Sequence, residues 1–139
     1  MSIPARKAAW KRIIQAKITG QSHVLDKLDL DGGELLRSLA VQVHSGDPNN
    51  IEGQAAREYW HRMFSEEQFR RFPGYGEGRN AQLDYAYTIL RGFLIKSICA
   101  AGISPTIGIH HHSASNYFCL ADDLIEPFRP AIDYGISQL

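Results

Sequence analysis

The chain has 139 residues, 44% of them hydrophobic, and it balances fifteen Lys and Arg against fifteen Asp and Glu. That length supports a single domain with a real core and leaves no room for a second. Zero formal charge gives no general pull toward nucleic acid or an anionic membrane, so any polyanion site must come from local clustering, and the longest apolar stretch, Gly92 to Ile109, is too interrupted by Lys96, Gly102 and Pro105 to span a bilayer.

From Pro4 to about Leu28 the large apolar residues Trp10, Ile13, Ile14, Ile18, Val24, Leu25 and Leu28 recur every three or four positions, which predicts one long helix weakened at Gly20. After Asp31-Gly32-Gly33 the same spacing in Leu35, Leu36, Leu39 and Val43 predicts a second, shorter helix. Ser45 to Asn50 is the clearest turn. A third helix from Asn50 to about Phe64 carries Ala55, Ala56, Tyr59, Trp60 and Met63. Positions 52, 56, 59 and 63 share one face of it, so Glu52 projects from the buried side, where an unpaired carboxylate is costly. Something has to compensate it, and a salt bridge to Lys17, Arg57 or Arg91 is the structural option.

Ser65 to Arg79 is polar and glycine-rich and reads as a mobile surface loop. Asn80 is placed to cap a long helix reaching Ala100 or Ala101, with Leu83, Tyr87, Leu90, Leu94 and Ile98 as its stripe and Gly102 as its stop. Ile103 to Ile109 reads as a short extended connection, because Pro105 turns its predecessor away from helix and β-branched residues dominate. A last helix is expected from Ser115 or Asn116 through Phe118, Ala121, Leu124, Ile125 and Phe128, with Pro127 and Pro130 kinking or ending it. The fold class is therefore all-α, a compact bundle of about five helices in one domain over 1–139, with no two strands able to pair. Cys99 and Cys119, in apolar segments without CxxC spacing, read as reduced core thiols of an intracellular protein.

Chemistry concentrates near the C-terminus. Three histidines, His110, His111 and His112, and three acids, Asp122, Asp123 and Glu126, fall between positions 110 and 126, a mixture of ligand types that suits a divalent metal. Glu126 shares a helical face with either aspartate. A buried-side glutamate at 52, a loop histidine and a helix carboxylate can converge on one cation, each relieving the others' desolvation through the charge of the ion. Oxygen-rich ligation with a single imidazole favours Mn²⁺ or Mg²⁺ over zinc.

These residues also carry a resemblance. Trp10 with Lys17-Ile18 and Gln21, Ile51-Glu52-Gly53-x-Ala55-Ala56-x-x-Tyr59-Trp60, Asn80-Ala81-x-Leu83-x-Tyr85-x-Tyr87, Pro105-x-x-Gly108-x-x-His111 and Asp123-Leu124-Ile125-Glu126-Pro127-Phe128-Arg129-Pro130 occur in one order over nearly the whole chain. In this the chain resembles the catalytic helical domain of the CRISPR-associated protein one family, the integrase and endonuclease of spacer acquisition. The resemblance implies metal ligands at Glu52, His111 and Glu126, which are also the catalytic residues, with Asp123 as a supporting acid and His110 and His112 as flankers. It implies a divalent-metal-dependent DNA endonuclease and integrase, in which a DNA 3′-hydroxyl or water attacks a DNA phosphodiester. Arg57, Arg91 and Arg129, with Arg70, Arg71 and Arg79, are candidate phosphate contacts. DNA, a homodimer partner and CRISPR-associated protein two are the implied partners, in the cytoplasm of a prokaryote, with no membrane. The family's N-terminal β-rich domain and its C-terminal helices are expected to be absent, so the alternative is a catalytically silent helical fragment acting only in self-association or in protein or DNA binding.

Overall fold

In the computed structural model, which describes residues 1–113 and 115–139, a 25-residue helix α1 (Ile3–Lys27) forms the spine. The Ser2 hydroxyl accepts the Ala5 N–H at 3.3 Å and Pro4 occupies the first turn, where its missing N–H costs nothing. Trp10, Ile14, Ile18 and Leu25 form the buried side of α1. Burying a side chain such as Ile14 or Leu25 in full contributes about 1.5–3 kcal/mol, enough to carry the helix through Gly20. That glycine has a packing reason: a Cβ there would lie 3.1 Å from Cγ of Pro130.

α2 (Gly33–Ala40) and α3 (Ile51–Arg62) pack on α1, placing Leu36, Val43, Ala55, Tyr59 and Met63 in one core. Leu35, expected in the α2 stripe, is instead 40% exposed. The turn between the two helices does double duty. Asp47 accepts the N–H groups of Ile51 and Glu52 at 2.8 and 3.0 Å, and the Asn50 side chain accepts that of Gly53, so donors of the first turn of α3 are satisfied. The buried face of α3 runs through Ile51, Ala55, Tyr59 and Met63. Glu52 therefore stands at the edge of that face, one position round from where its spacing with Ala56 suggested.

α4 (Gly78–Ala100) starts two residues ahead of Asn80, and the asparagine does not cap it. The Asn80 side chain instead accepts the Phe72 N–H at 2.8 Å and donates to the Arg70 carbonyl at 2.9 Å, while Asp84 takes Arg71 at 2.6 Å and the Gly74 N–H at 2.8 Å. The segment expected to be a mobile loop is thus tied to α4 over residues 70–74, after a 3₁₀ turn at Ser65–Glu67. Gly102, with φ +75°, follows the end of α4. A turn at residues 105–106 and bends at 107 and 109 interrupt the expected extended connection, and the described residues contain no strand.

The expected last helix is two. α5 covers only Cys119–Leu124, a 3₁₀ turn spans Glu126–Phe128, and α6 runs Arg129–Ser137. Pro127, lacking an N–H and clashing with the preceding turn, accounts for the break, and Pro130 fits the first turn of α6. Asn116 does not start the helix: its side chain accepts the Phe118 N–H at 2.9 Å and donates to Asp122 at 2.6 Å. Leu83, Tyr87 and Ile125 make a second core, joined to the first through Trp60 and Phe64. Cys119 is buried but Cys99 is exposed, and both are free thiols. No helix of the described residues is long and apolar enough to cross a membrane.

Candidate active site

The three carboxylates point in different directions, Asp122 and Asp123 as consecutive residues of α5 and Glu126 from the turn that Pro127 imposes. Asp122 faces α4, where it meets Arg91 at 2.5 Å. Asp123 turns inward, and Glu126, on the 3₁₀ turn, faces α1. The shared acidic face that a continuous helix would have produced does not form.

Glu126 and Glu52 meet on one cation. Lys17, from the middle of α1, places Nζ 2.8 Å from Oε1 of Glu52 and 2.5 Å from Oε2 of Glu126, with only 14% of its side chain exposed. The Glu52 contact is a directed hydrogen bond, whereas Oε2 of Glu126 is out of line for one, so that contact is an ion pair. Burial alone would push the Lys17 ammonium down, but the charges of Glu126 and Glu52 outweigh it and hold its pKa above the ordinary lysine value. Arg129 donates to the other oxygen of Glu126 at 3.1 Å and lies over the Tyr87 ring.

His111 sits in a different cluster. Asp123, fully buried, accepts the backbone N–H groups of Ile109, His110 and His111 at 2.6, 2.9 and 3.1 Å and pairs with Nδ1 of His111. The Asp123 carboxylate accepts from Nδ1, which leaves Nε2 as the ring nitrogen not engaged by Asp123. The loop also requires Gly108, because a Cβ there would fall 1.9 Å from the His111 carbonyl oxygen. His110 stacks on Trp10 with ring centroids 4.1 Å apart, and Nδ1 of His112 lies 2.9 Å from the His110 carbonyl. The fold therefore brings together two of the three residues named as ligands. Among the described residues no three His, Cys, Asp or Glu side chains lie close enough to hold one ion. The donor chemistry nevertheless suits an oxygen-preferring divalent ion, since the two carboxylates already share a cation and Nε2 of the imidazole is not engaged by Asp123.

A sequence profile described as "CRISPR associated protein Cas1" matches residues 4–139. The chain belongs to the Cas1 family. It is 38% identical over 140 residues to the CRISPR-associated endonuclease Cas1 of Neisseria meningitidis, a match covering 100% of this chain and 45% of that relative. Over 108 residues it is 38% identical to the CRISPR-associated endonuclease Cas1 2 of Pyrobaculum aerophilum, covering 75% of this chain and 36% of that protein. A solved casposase bound to integration product is similar in structure, with a TM-score of 0.82, 26% identity, and coverage of 99% of this chain and 44% of the casposase chain. The chain thus spans less than half the length of these Cas1 relatives and of the casposase.

Beside the glutamate pair lies a cavity of about 530 Å³, lined among others by Lys17, Gln21, Arg91, Asp122, Glu126, Arg129 and Asp133. Arg91 and Arg129, two of the arginines singled out in this Cas1 chain, are on its wall, but each is paired with an acid. Arg71 lines it too, held by Asp84. Arg57 is exposed and lines a separate groove with Arg70, His61 and Phe69. Arg79 is bound to Glu67 and the Ile136 carbonyl.

Asp133 is the site residue that pattern reading missed. It is 2% exposed and accepts the Tyr59 hydroxyl at 2.8 Å and the Tyr87 hydroxyl. The available signal was indirect: two tyrosines at buried helical positions need a buried acceptor. Burial pushes the Asp133 carboxyl up to about 6, against the opposing pull of Tyr87, Tyr59, Lys17 and Arg129, and both phenols are raised in turn. A raised carboxylate pKa favours the folded state below the unfolded value near 3.8, and that advantage is lost as pH rises through about 6. The difference corresponds to about 3 kcal/mol. Asp84 and Asp122, held low by Arg71 and Arg91 despite partial burial, act in the opposite sense and lose their contribution as pH falls. Urea denaturation at pH 4 and pH 7 is expected to show that Asp133→Asn removes a fall of this size between the two, relative to the wild-type chain; parallel pH profiles would contradict the assignment.

Proposed function

We propose that this chain carries the catalytic centre of a divalent-metal-dependent DNA endonuclease and integrase, with Glu52 and Glu126 as the ligands already side by side and His111 as a third that has to approach them from its own cluster. The observation that carries the reading is the meeting of Glu52 and Glu126, from separate elements, on a single buried cation. Two carboxylates from separate elements, brought within contact of one cation, form a ready pair of oxygen ligands for a divalent ion. The membership of the Cas1 family adds to this, as do relatives named endonucleases. A divalent ion held by these groups, Mn²⁺ or Mg²⁺, supplies Lewis-acid charge to the non-bridging oxygens of a phosphodiester. The chain's own residues do the rest. Asp123 engages Nδ1 of His111, so Nε2 is the nitrogen that would serve as a ligand. Arg129 steadies Glu126, and Arg91 and Arg71, each held in place by an acid, put guanidinium N–H groups on the cavity wall to orient a phosphate backbone. In the reaction an oxygen of a DNA 3′-hydroxyl, or of water, forms a bond to phosphorus as the bond to the leaving 3′-oxygen breaks.

The test is nicking and strand joining of a DNA duplex in MnCl₂. Wild-type activity that is lost in chelator and in Glu52→Ala is expected; activity unaffected by Glu52→Ala would refute the assignment.

A second reading, a catalytically silent helical unit that self-associates, is favoured by one observation. Tyr85, Ile89 and Phe93, at four-residue spacing on α4, are 72%, 44% and 65% exposed and form an apolar stripe. A homodimer through this stripe is expected to dissociate in sedimentation velocity on Phe93→Asp. An unchanged sedimentation coefficient would exclude α4 as its interface.

A further inference from the structure

A divalent ion bound by both glutamates needs carboxylate oxygens at about 2.0–2.2 Å, and the gap between them is the one the Lys17 ammonium fills, at 2.8 and 2.5 Å. An ion seated between the two carboxylates takes the position the ammonium now holds, so the two do not occupy it together. The chain also holds an alternative seat for the ammonium. Gln21 is one helical turn beyond Lys17 on the same face of α1 and 2% exposed, and its Oε1 is buried without a hydrogen-bond partner. Gln21 and Asp133 line the cavity that Lys17 also lines. An acceptor without a protein partner, on the wall of a cavity that a cationic donor also lines, is a seat the ammonium gains by moving one turn along.

We propose that Lys17 is an internal counterion that holds Glu52 and Glu126 together while no divalent ion is bound, and that it withdraws to Gln21 Oε1 and the Asp133 side of the cavity when one enters. Metal binding is then a cation exchange at a preassembled pair rather than the assembly of a site. Lys17 offsets the repulsion between the carboxylates in the metal-free chain, and affinity for the ion is set by competition with a tethered charge. This inference rests on the metal-site reading above.

The test is a titration of the chain with MnCl₂, following free Mn²⁺ by electron paramagnetic resonance, alongside thermal melting in chelator and in Mn²⁺. Lys17→Met keeps the aliphatic stem and removes the charge. It is expected to melt lower than wild type in chelator, to gain more from Mn²⁺, and to bind Mn²⁺ about tenfold more tightly. Equal affinities in wild type and Lys17→Met would overturn the exchange. Should Lys17→Met not fold, Gln21→Leu removes the receiving acceptor and is expected to weaken Mn²⁺ binding about threefold to tenfold; unchanged affinity would overturn it. The two readings separate cleanly. Mn²⁺ binding that is lost in Glu52→Gln yet indifferent to both Lys17→Met and Gln21→Leu sinks the counterion alone, whereas a wild-type chain that binds no Mn²⁺ sinks the metal site and the counterion together.

Discussion

Replacing Glu126 by glutamine is expected to lower metal-dependent DNA cleavage about 1000-fold, the scale on which loss of a group that stabilises developing charge acts. The substitution keeps the volume of the side chain and removes its charge. Folding should suffer much less. Glu126 is 8% exposed and paired with Lys17 and Arg129, but Lys17 retains Glu52, so no buried charge is left without a partner. The expected stability loss is about 1–3 kcal/mol. Steady-state nicking and urea denaturation on the same preparation check both halves. A variant that folds normally and cleaves at the wild-type rate would remove Glu126 from the chemistry, and a variant that fails to fold would give it a structural role instead.

The largest stability effect is expected at Asp123→Ala. One fully buried carboxylate accepts three backbone N–H groups and the His111 ring, which together hold the 109–111 segment in place. Hydrogen bonds to a charged acceptor are individually worth about 1.5–3 kcal/mol. The segment is partly open to water, which repays some of that loss, so the expected cost is about 3–5 kcal/mol, or a melting point lower by roughly 10–15 °C. Asp123→Asn should recover only part, because its amide offers one acceptor oxygen where the carboxylate offers two and sets an NH₂ group among N–H donors. Differential scanning calorimetry of both variants decides it; a loss below about 1 kcal/mol for alanine would mean that the loop is held by other contacts.

How far the amino-acid pattern reached can be read residue by residue. α1, α3 and α4 were legible because their apolar spacing is long and their ends carry Pro4, Asn50 and Gly102, local signals that act whatever the tertiary context. The split between α5 and α6 was half legible. Pro127 announced a break, but that the chain would restart at Arg129 depends on Pro130 fitting against Gly20, a long-range contact no local pattern encodes. Asn80 shows the same limit from the other direction: its preference for caps is real, yet a loop with unpaired backbone groups at Arg70 and Phe72 claimed it. Glu52 was detectable as a carboxylate too close to a buried face to be free. That Lys17 would answer both Glu52 and Glu126 was only one of several possible pairings, because which cation arrives is decided by how α1 lies against the Pro127 turn. Asp133 escaped notice because its helix was not anticipated, although Tyr59 and Tyr87 each required an acceptor.

Diffraction from a crystal soaked in MnCl₂, recorded at a wavelength where manganese scatters anomalously, measures the ion's position without requiring turnover. The arrangement described above predicts an anomalous peak between the Glu52 and Glu126 carboxylates, with Lys17 Nζ displaced from the gap and His111 Nε2 directed at the ion. Full manganese occupancy elsewhere, or no peak while Lys17 still bridges the two glutamates at saturating Mn²⁺, would contradict it.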